Sequence, residues 1–419
     1  MSQAANSLLS TSVYNFDKAA ERLGLEAGIK RRLLGPKEKI ELDINPILPC
    51  GKLINAKVFV VRHHDALGPA KGGIRMTPTV TLDDVCGLAM EMTWKTSLIG
   101  VPFGGGKSGI RLDPSKLSET DKEVVVRAFA RGASHHIGPE WYVPAPDMGT
   151  NEMDMAHIRD CISYSQGVSI TRGCFVTGKP VILGGIVGRR EATGKGVVYT
   201  VAALCERIGR NLEGLRVAVQ GFGNVGSVAA AEIGRLGAKV VGISDIGGGI
   251  VNDKGIDVQS LVGYAKETGS IQGFEGCADV DRDDILEIPC DVLIPAAAQS
   301  QIRSDNVDKI AADIIAEGAN APITPEADEV LKEKGVRIIP DILCNAGGVF
   351  VSYLEYTQET QRDQWTLREV EGRLRDRMSE RFNEVYDYSR EKNLSMREAA
   401  MDLAVGHVAE GVYARGLLP

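Results

Sequence analysis

One stretch governs what this chain can fold into: LRVAVQGFGNVGSVAAAEIGRLGAKVVGISD, residues 215–245. A short β-branched run ends at Gln220. G-x-G-x-x-G follows at Gly221, Gly223 and Gly226, then a helical segment, then a second apolar run that closes on Asp245. The first glycine permits a tight turn. The second lets a pyrophosphate approach the backbone, and the third lets helix and strand pack closely. Alone this spacing is a weak signal; inside a strand–helix–strand–acid frame it points to dinucleotide binding. Phe222, Asn224 and Val225 share the loop and are candidate contacts. Asp245 stands near the place of an acid that bonds ribose hydroxyls. Such an acid should repel a 2′-phosphate, which favours NAD over NADP; the blander reading is a loop acid that tolerates both.

DVLIPA, DIIAEGA and VRIIPD continue the pattern as buried strands between helical segments, arguing for a parallel sheet with crossover helices. Before about residue 180 the texture is mixed. LDDVCGLAMEMTWKTSLI has apolar residues at i, i+3, i+4 spacing and reads as an amphipathic helix. Ser118 should cap a helix running to about Ile137, and VYNFDKAAERLGL should form another. Extended segments are expected at Lys57–Arg62 and Trp141–Val143. The charged tail from Gln361 to Lys392 reads as a helix with a solvated face.

A chain of 419 residues exceeds one ordinary core, so two or three domains are expected. The net charge of -8 comes without a basic tract, which argues against nucleic acid. No apolar run reaches the roughly 18 residues of a membrane span, and the N-terminus lacks a secretory pattern. None of the eight cysteines forms C-x-x-C, so free thiols in the cytoplasm are expected. The pairs His63-His64 and His135-His136 lack metal-ligand spacing, so no metal is expected.

A second glycine run, IGVPFGGGKSGI, resembles a phosphate loop. That motif would need glycine at 101, where Val101 stands, and it would need to leave a strand and open a helix. A helix precedes the run instead, and Pro114 follows it. The reading that remains is a lysine cluster: Lys71 in GPAKGGIRM, Lys95 in EMTWK, Lys107 in GGGKSG, with Asp147 in VPAPDMGTNE. A lysine is more often a solvated surface charge. Here Lys71 and Lys107 lie in glycine-rich, largely uncharged stretches that let backbone approach a small ligand. Converging ammonium groups would hold a carboxylated substrate, and the most desolvated should have a lowered pKa suited to proton transfer. Asp147 is either a fixed carboxylate beside them or only a helix-terminal acid.

GPAKGGIR, MTWKTSL, VPFGGGK, PAPDMGT, EATGKG, GFGNVG, EGAN and CNAGGVFVSYLE occur in this order from about residue 45 onward. Together they make the chain resemble the short glutamate dehydrogenases of the Glu/Leu/Phe/Val dehydrogenase family. The resemblance implies an α/β fold: an N-terminal α/β substrate domain, a Rossmann-type dinucleotide-binding domain, and C-terminal helices returning to the first. The implied division is 1–185 with 345–419, against 186–344. Lys71, with Gly72 beside it, and Ser352 would hold the substrate's side-chain carboxylate, and Lys95 the α-carboxylate. Lys107 would be the catalytic lysine and Asp147 the proton-transferring acid. Met92, Asn345, Gly348 and Val349 would line the substrate pocket. Thr193, Asn224 and Asn320 would contact the dinucleotide. The implied reaction is NAD(P)-dependent oxidative deamination of L-glutamate to 2-oxoglutarate and ammonia by a homohexamer closing around a cleft.

Two positions depart from the family pattern. Ser108 stands where relatives usually have glycine, and Met92 where many have glutamine, so Met92 offers no hydrogen bond. A leucine-, valine- or phenylalanine-type enzyme would have no use for an ammonium at 71 or a hydroxyl at 352, and burying an unpaired ammonium against an apolar side chain is unfavourable. A non-catalytic NAD-binding regulatory subunit should have lost Lys107 or Asp147.

Overall fold

The computed structural model describes residues 8–165, 167 and 173–416. The chain divides into two compact units: unit 1 is Met1–Arg189, Val349–Val370 and Met401–Pro419, and unit 2 is Arg190–Gly348 and Glu371–Ala400.

Unit 1 opens with α1 (Leu8–Arg22) and α2 (Ala27–Leu34). There follow β1 (Glu38–Ile44), β2 (Ala56–His64), β3 (Ala70–Thr77), α3 (Leu82–Ile99), β4 (Gly104–Arg111), α4 (Glu119–Gly132), β5 (Tyr142–Pro146) and α5 (Glu152–Ser165). Its strands form one sheet in the order β1-β2-β4-β3-β5, with β3 parallel to both neighbours and β1, β2 and β4 pairing antiparallel. Pro144 and Pro146 sit in edge strand β5, where a missing backbone donor is tolerated. Both sheet faces are buried. Val58 and Val60 join a core with Phe129 and Met155, whereas Phe59 and Val61 pack with Val85, Cys86 and Ala89 of α3.

That burial changes the character of α3. Thr81 starts it with a capping box to Asp84, and Gly100 ends it in a left-handed conformation. It is not amphipathic: every residue from Val85 to Ile99 except Met92 is buried. The sheet covers one side and α1 another, with Phe16 stacked on Trp94 at 5.4 Å and the Ser12 hydroxyl donating to Glu91 at 2.5 Å. Ser118 caps α4 as its sequence suggests, but the helix stops at Gly132, short of Ile137. GGGKSG is no loop at all; it forms most of β4.

Unit 2 contains α6 (Ala192–Arg207), β6 (Arg216–Gln220), α7 (Gly226–Arg235), β7 (Lys239–Ser244), β8 (Gly249–Val251) and α8 (Val258–Thr268). Next come β9 (Ala278–Val280), β10 (Val292–Pro295), β11 (Ile314–Ala316), α9 (Pro325–Glu333), β12 (Arg337–Ile339) and α10 (Asp341–Cys344). The sheet order is β12-β11-β10-β6-β7-β8-β9. The strands from β12 to β7 are parallel, and β8 and β9 extend the edge antiparallel. After β9 the chain crosses to β10 on the other side of β6, so the loops leaving β6 and β10 flank a topological switch point. Ligands bind there in Rossmann-type sheets. The chain finishes with α11 (Gly347–Gln361), α12 (Leu367–Lys392) and α13 (Met396–Arg415). Among the described residues, no helix is long and apolar enough to cross a membrane.

Candidate active site

In unit 1, strand alternation assembles the charges. Lys71, Gly73 and Arg75 share one face of β3, and Gly105, Lys107 and Gly109 share the corresponding face of β4. α3 lies close on this face: a Cβ at Gly105 would come within 2.1 Å of the Thr93 hydroxyl and 2.3 Å of the Ala89 carbonyl. The glycine run thus admits a helix, not a phosphate.

Lys107 Nζ lies 2.6 Å from Asp147 Oδ2. The two belong to β4 and the end of β5, which are not neighbours; β3 runs between them. The pair spans β3 where Gly73 offers no side chain, and a Cβ there would come within 2.6 Å of the Asp147 Cβ. Arg75 adds a second cation at 3.4 Å from Asp147 Oδ2. Burial pulls Lys107 below the ordinary ammonium range, with Asp147 opposing. Burial disfavours charge on Asp147, but Lys107 and Arg75 outweigh it and hold the carboxyl below its usual range. The Asp147 carboxylate also accepts a backbone hydrogen bond from Met148, and its own backbone amide donates to Thr150 Oγ1 at 2.9 Å.

Lys95 projects from α3 and is buried, near enough to Lys107 to lower its pKa further. Met92 stands against Gly72, where an added Cβ would lie 3.3 Å from Met92 Cγ. Lys71 is buried, and desolvation, then the Arg189 guanidinium, push its pKa down to about 7, with Glu355 opposing. Arg189 Nε donates to Ser352 Oγ at 2.8 Å. Val349 is also in unit 1, on α11. Around these lies a buried cluster in which Lys179 Nζ meets Glu355 at 2.7 Å and Glu359 at 2.9 Å. Arg75 and Arg189 carried no flag in the sequence. Arg75 was findable, because four residues along a strand from Lys71 restores the same face. Arg189 sits in an arginine pair that reads as surface.

In unit 2, the glycine loop has the shape a dinucleotide requires. Gly221 has φ +94°, outside the range of ordinary side chains, and a Cβ at Gly226 would overlap the Gly221 carbonyl oxygen at 1.8 Å. Gly223 is exposed and has open space around its missing Cβ. The N-terminus of α7 has no side-chain cap, a setting that favours an anion, although the Ser227 amide already donates to the Gly223 carbonyl at 3.0 Å. Phe222, Asn224 and Val225 lie in this loop. Thr193 adjoins it, because Gly194 packs against the Val225 carbonyl, where a Cβ would come within 2.7 Å. These residues fit a pyrophosphate.

Asp245 follows β7, but its carboxylate is largely engaged. It accepts from the amides of Gly247, Gly248 and Ile271 at 2.7, 3.0 and 2.9 Å. A cavity of about 420 Å³ adjoins this loop, and Gln272, Asp281, Arg282, Asp283 and Asp284 contribute to its lining.

Asn320 follows β11, and its Oδ1 accepts from Asn345 Nδ2 at 3.1 Å. Among the described residues, Asn345 Oδ1 is buried without a hydrogen-bond partner. Gly348 also belongs to unit 2, on α11. The loop carrying Asn320 is held from below. Glu317 accepts from Arg397 at 2.8 and 2.9 Å, and Arg397 also reaches Asp328 at 2.9 Å. Glu317 accepts the Asp341 amide at 2.8 Å, and Asp341 accepts the Ala321 amide at 2.8 Å.

Comparisons with known proteins place the chain among known families. The family model described as Glu/Leu/Phe/Val dehydrogenase, dimerisation domain, matches residues 36–164. That of Glutamate/Leucine/Phenylalanine/Valine dehydrogenase matches residues 184–416. A glutamate dehydrogenase of Thermotoga maritima is 43% identical, over 99% of both chains. An NADP-specific glutamate dehydrogenase of Saccharolobus shibatae is 39% identical, over 100% of both. Among solved structures, the hetero-hexameric glutamate dehydrogenase of Thermus thermophilus in its leucine-bound form superposes with a TM-score of 0.94 at 33% identity, covering 98% of each chain.

Proposed function

The chain belongs to the Glu/Leu/Phe/Val dehydrogenase family, and we infer from that membership that it is a glutamate dehydrogenase, converting L-glutamate to 2-oxoglutarate and ammonia with NAD or NADP. The observation that carries the site assignment is the Lys107–Asp147 pair spanning β3, 2.6 Å apart and mostly buried. A bound nicotinamide supplies hydride acceptance from the substrate Cα. The remaining chemistry falls to this chain. Lys95 would hold the α-carboxylate, and Lys71 with Arg189 and Ser352 the side-chain carboxylate. Two cations beside a hydroxyl favour an acidic side chain over an apolar one. Lys107, its basicity reduced by burial, can yield and recover a proton as water adds to the imine carbon. Asp147, kept ionised by its two cations, can take a proton from the attacking water and pass one to the departing nitrogen.

Mixing the purified protein with L-glutamate and either nucleotide should give nicotinamide absorbance at 340 nm. No reduction with glutamate, or faster reduction with leucine, would overturn the reading. NAD should be preferred by at least about tenfold in kcat/KM, a modest electrostatic discrimination. The reason is not Asp245 alone. The adjoining cavity presents Asp281, Asp283 and Asp284 against one cation, Arg282, which is paired with Asp283 at 3.2 Å. A 2′-phosphate would face a net acidic wall. Equal efficiencies would remove this argument.

Lys71 supplies a pH dependence. Its ammonium is protonated below about 7 and neutral above, and a carboxylate ligand needs the protonated form. The KM for glutamate should therefore rise above pH 7, by up to about tenfold per unit. Lys71→Arg, which stays charged, should flatten that limb. The proposed assembly is a homohexamer in the cytoplasm; the dimerisation-domain match over 36–164 supports self-association, and light scattering measures the subunit number.

A further inference from the structure

Ser108 follows the proposed catalytic lysine and takes no part in the reaction above. It is fully buried and lies on the face of β4 opposite Lys107. Its Oγ donates to the Tyr142 hydroxyl at 3.0 Å. That hydroxyl in turn donates to the carbonyls of Gly72 at 3.3 Å and Gly73 at 3.5 Å. Tyr142 is itself fully buried, and desolvation raises its pKa, so the phenol remains a donor at any working pH.

The place where this hydroxyl lands is a gap in the β3–β4 ladder. The parallel pairing of β3 with β4 runs through Ala70↔Gly104 and Lys71↔Gly105, and resumes at Ile74↔Ser108 with the same offset. Gly72 and Gly73 have no ladder partner in β4, while on the other side they pair with Pro144 and Ala145 of β5. The Gly106 carbonyl points into that gap, since a Cβ on Gly72 would lie 1.7 Å from its oxygen. Tyr142 reaches the gap from β5 because its ring occupies the space left by Gly106, where a Cβ would lie 2.9 Å from the ring. The donor that reaches the two carbonyls beside this gap is a side-chain hydroxyl from β5, two strands away from Ser108.

The segment so held is the one that carries substrate-side chemistry. Lys71 precedes the two glycines, and the Lys107–Asp147 pair passes over Gly73. We propose that Ser108 and Tyr142 form a two-hydroxyl relay that braces β3 where its pairing with β4 lapses and fixes the height of Lys71 in the site, so that Tyr142 is a positioning residue for acidic-substrate selectivity. This rests on Lys71 as ligand of the side-chain carboxylate.

Tyr142→Phe keeps the ring and removes only the donor. In it, the KM for glutamate should rise about tenfold, the order of one net buried hydrogen bond. Kinetics with norvaline, which has the same backbone length and no side-chain carboxylate, should stay within about twofold, as should the KM for NAD. Ser108→Ala should move the glutamate KM the same way by a smaller factor. The double variant should be no worse than Tyr142→Phe, because Ser108 acts through Tyr142. Equal losses with glutamate and norvaline would reduce the pair to a structural role and overturn the proposal, as would an unchanged glutamate KM in Tyr142→Phe. Failure of the unaltered protein to oxidise glutamate at all would instead sink the parent reading.

Discussion

Lys107→Gln should lower turnover by about 10²–10⁴-fold, the range of a positioned acid–base group, while nucleotide affinity stays unchanged. Glutamine keeps much of the side chain's length and polarity, so the change is chiefly the loss of a transferable proton. Asp147→Asn should lose a comparable factor for a second reason. Lys107 and Arg75 lie 2.6 and 3.4 Å from its carboxylate, and an amide would leave both cations without a counter-charge at the site. That substitution should also carry a pH signature. Without Asp147, the influence holding Lys107 up is removed, so its pKa should fall further and any residual activity should shift its limb to lower pH. Nucleotide titration by fluorescence, beside single-turnover kinetics, separates the chemical loss from a binding loss. Near-normal turnover in either variant would remove the assigned role.

The second large effect should be on stability. Arg397→Met should destabilise the protein by about 3–5 kcal/mol, the range for stripping one partner from a buried ion pair. Glu317 has no exposed side-chain surface, and Arg397 is its bidentate partner. Burial pushes Glu317 up to about 7 even with that guanidinium against it. An acid whose folded pKa exceeds its unfolded value binds more protons when folded, so its contribution to stability declines as pH rises toward that folded pKa. In Arg397→Met the folded pKa should rise further still. The gap between the two proteins should therefore widen above pH 7 and narrow below it. Urea midpoints at pH 6 and pH 8 measure this directly. The NAD KM should also rise, since Glu317, Asp341 and Ala321 form one hydrogen-bonded path to the loop that bears Asn320.

Much of the fold was legible because its signals are local. Glycine spacing in a strand–helix–strand frame marked β6, α7 and β7 with Asp245 at their end, and the apolar runs marked β10 to β12. The antiparallel β8 and β9 were not readable, because their three residues, GIV and ADV, lack the flanking apolar run that marked the equally short β11 and β12. The helix at α3 was legible, but its all-round burial was not, since that depends on α1 and β4 arriving from distant sequence. The lysines stood out through their glycine surroundings. The crossing of Lys107 and Asp147 over Gly73 did not, because strand order β4-β3-β5 inverts sequence order and only the sheet places β3 between them. Ser108 was opaque for a related reason: its partner Tyr142 reaches it across β3.

The ends of unit 2 are far apart along the chain: its sheet closes at β12, yet Arg397 belongs to its interior. On a ribosome adding roughly 5–20 residues per second, the nucleotide-binding sheet is therefore fully synthesised several seconds before its buried acid can meet a cation. Until then Glu317 must stay solvated or protonated, and the nascent unit remains open at that end. Unit 1 waits longer still, for residues 401–419. Neither half is finished before nearly all the chain has emerged, so stop codons anywhere upstream of Arg397 should yield two incomplete halves, not one sound domain and one broken one.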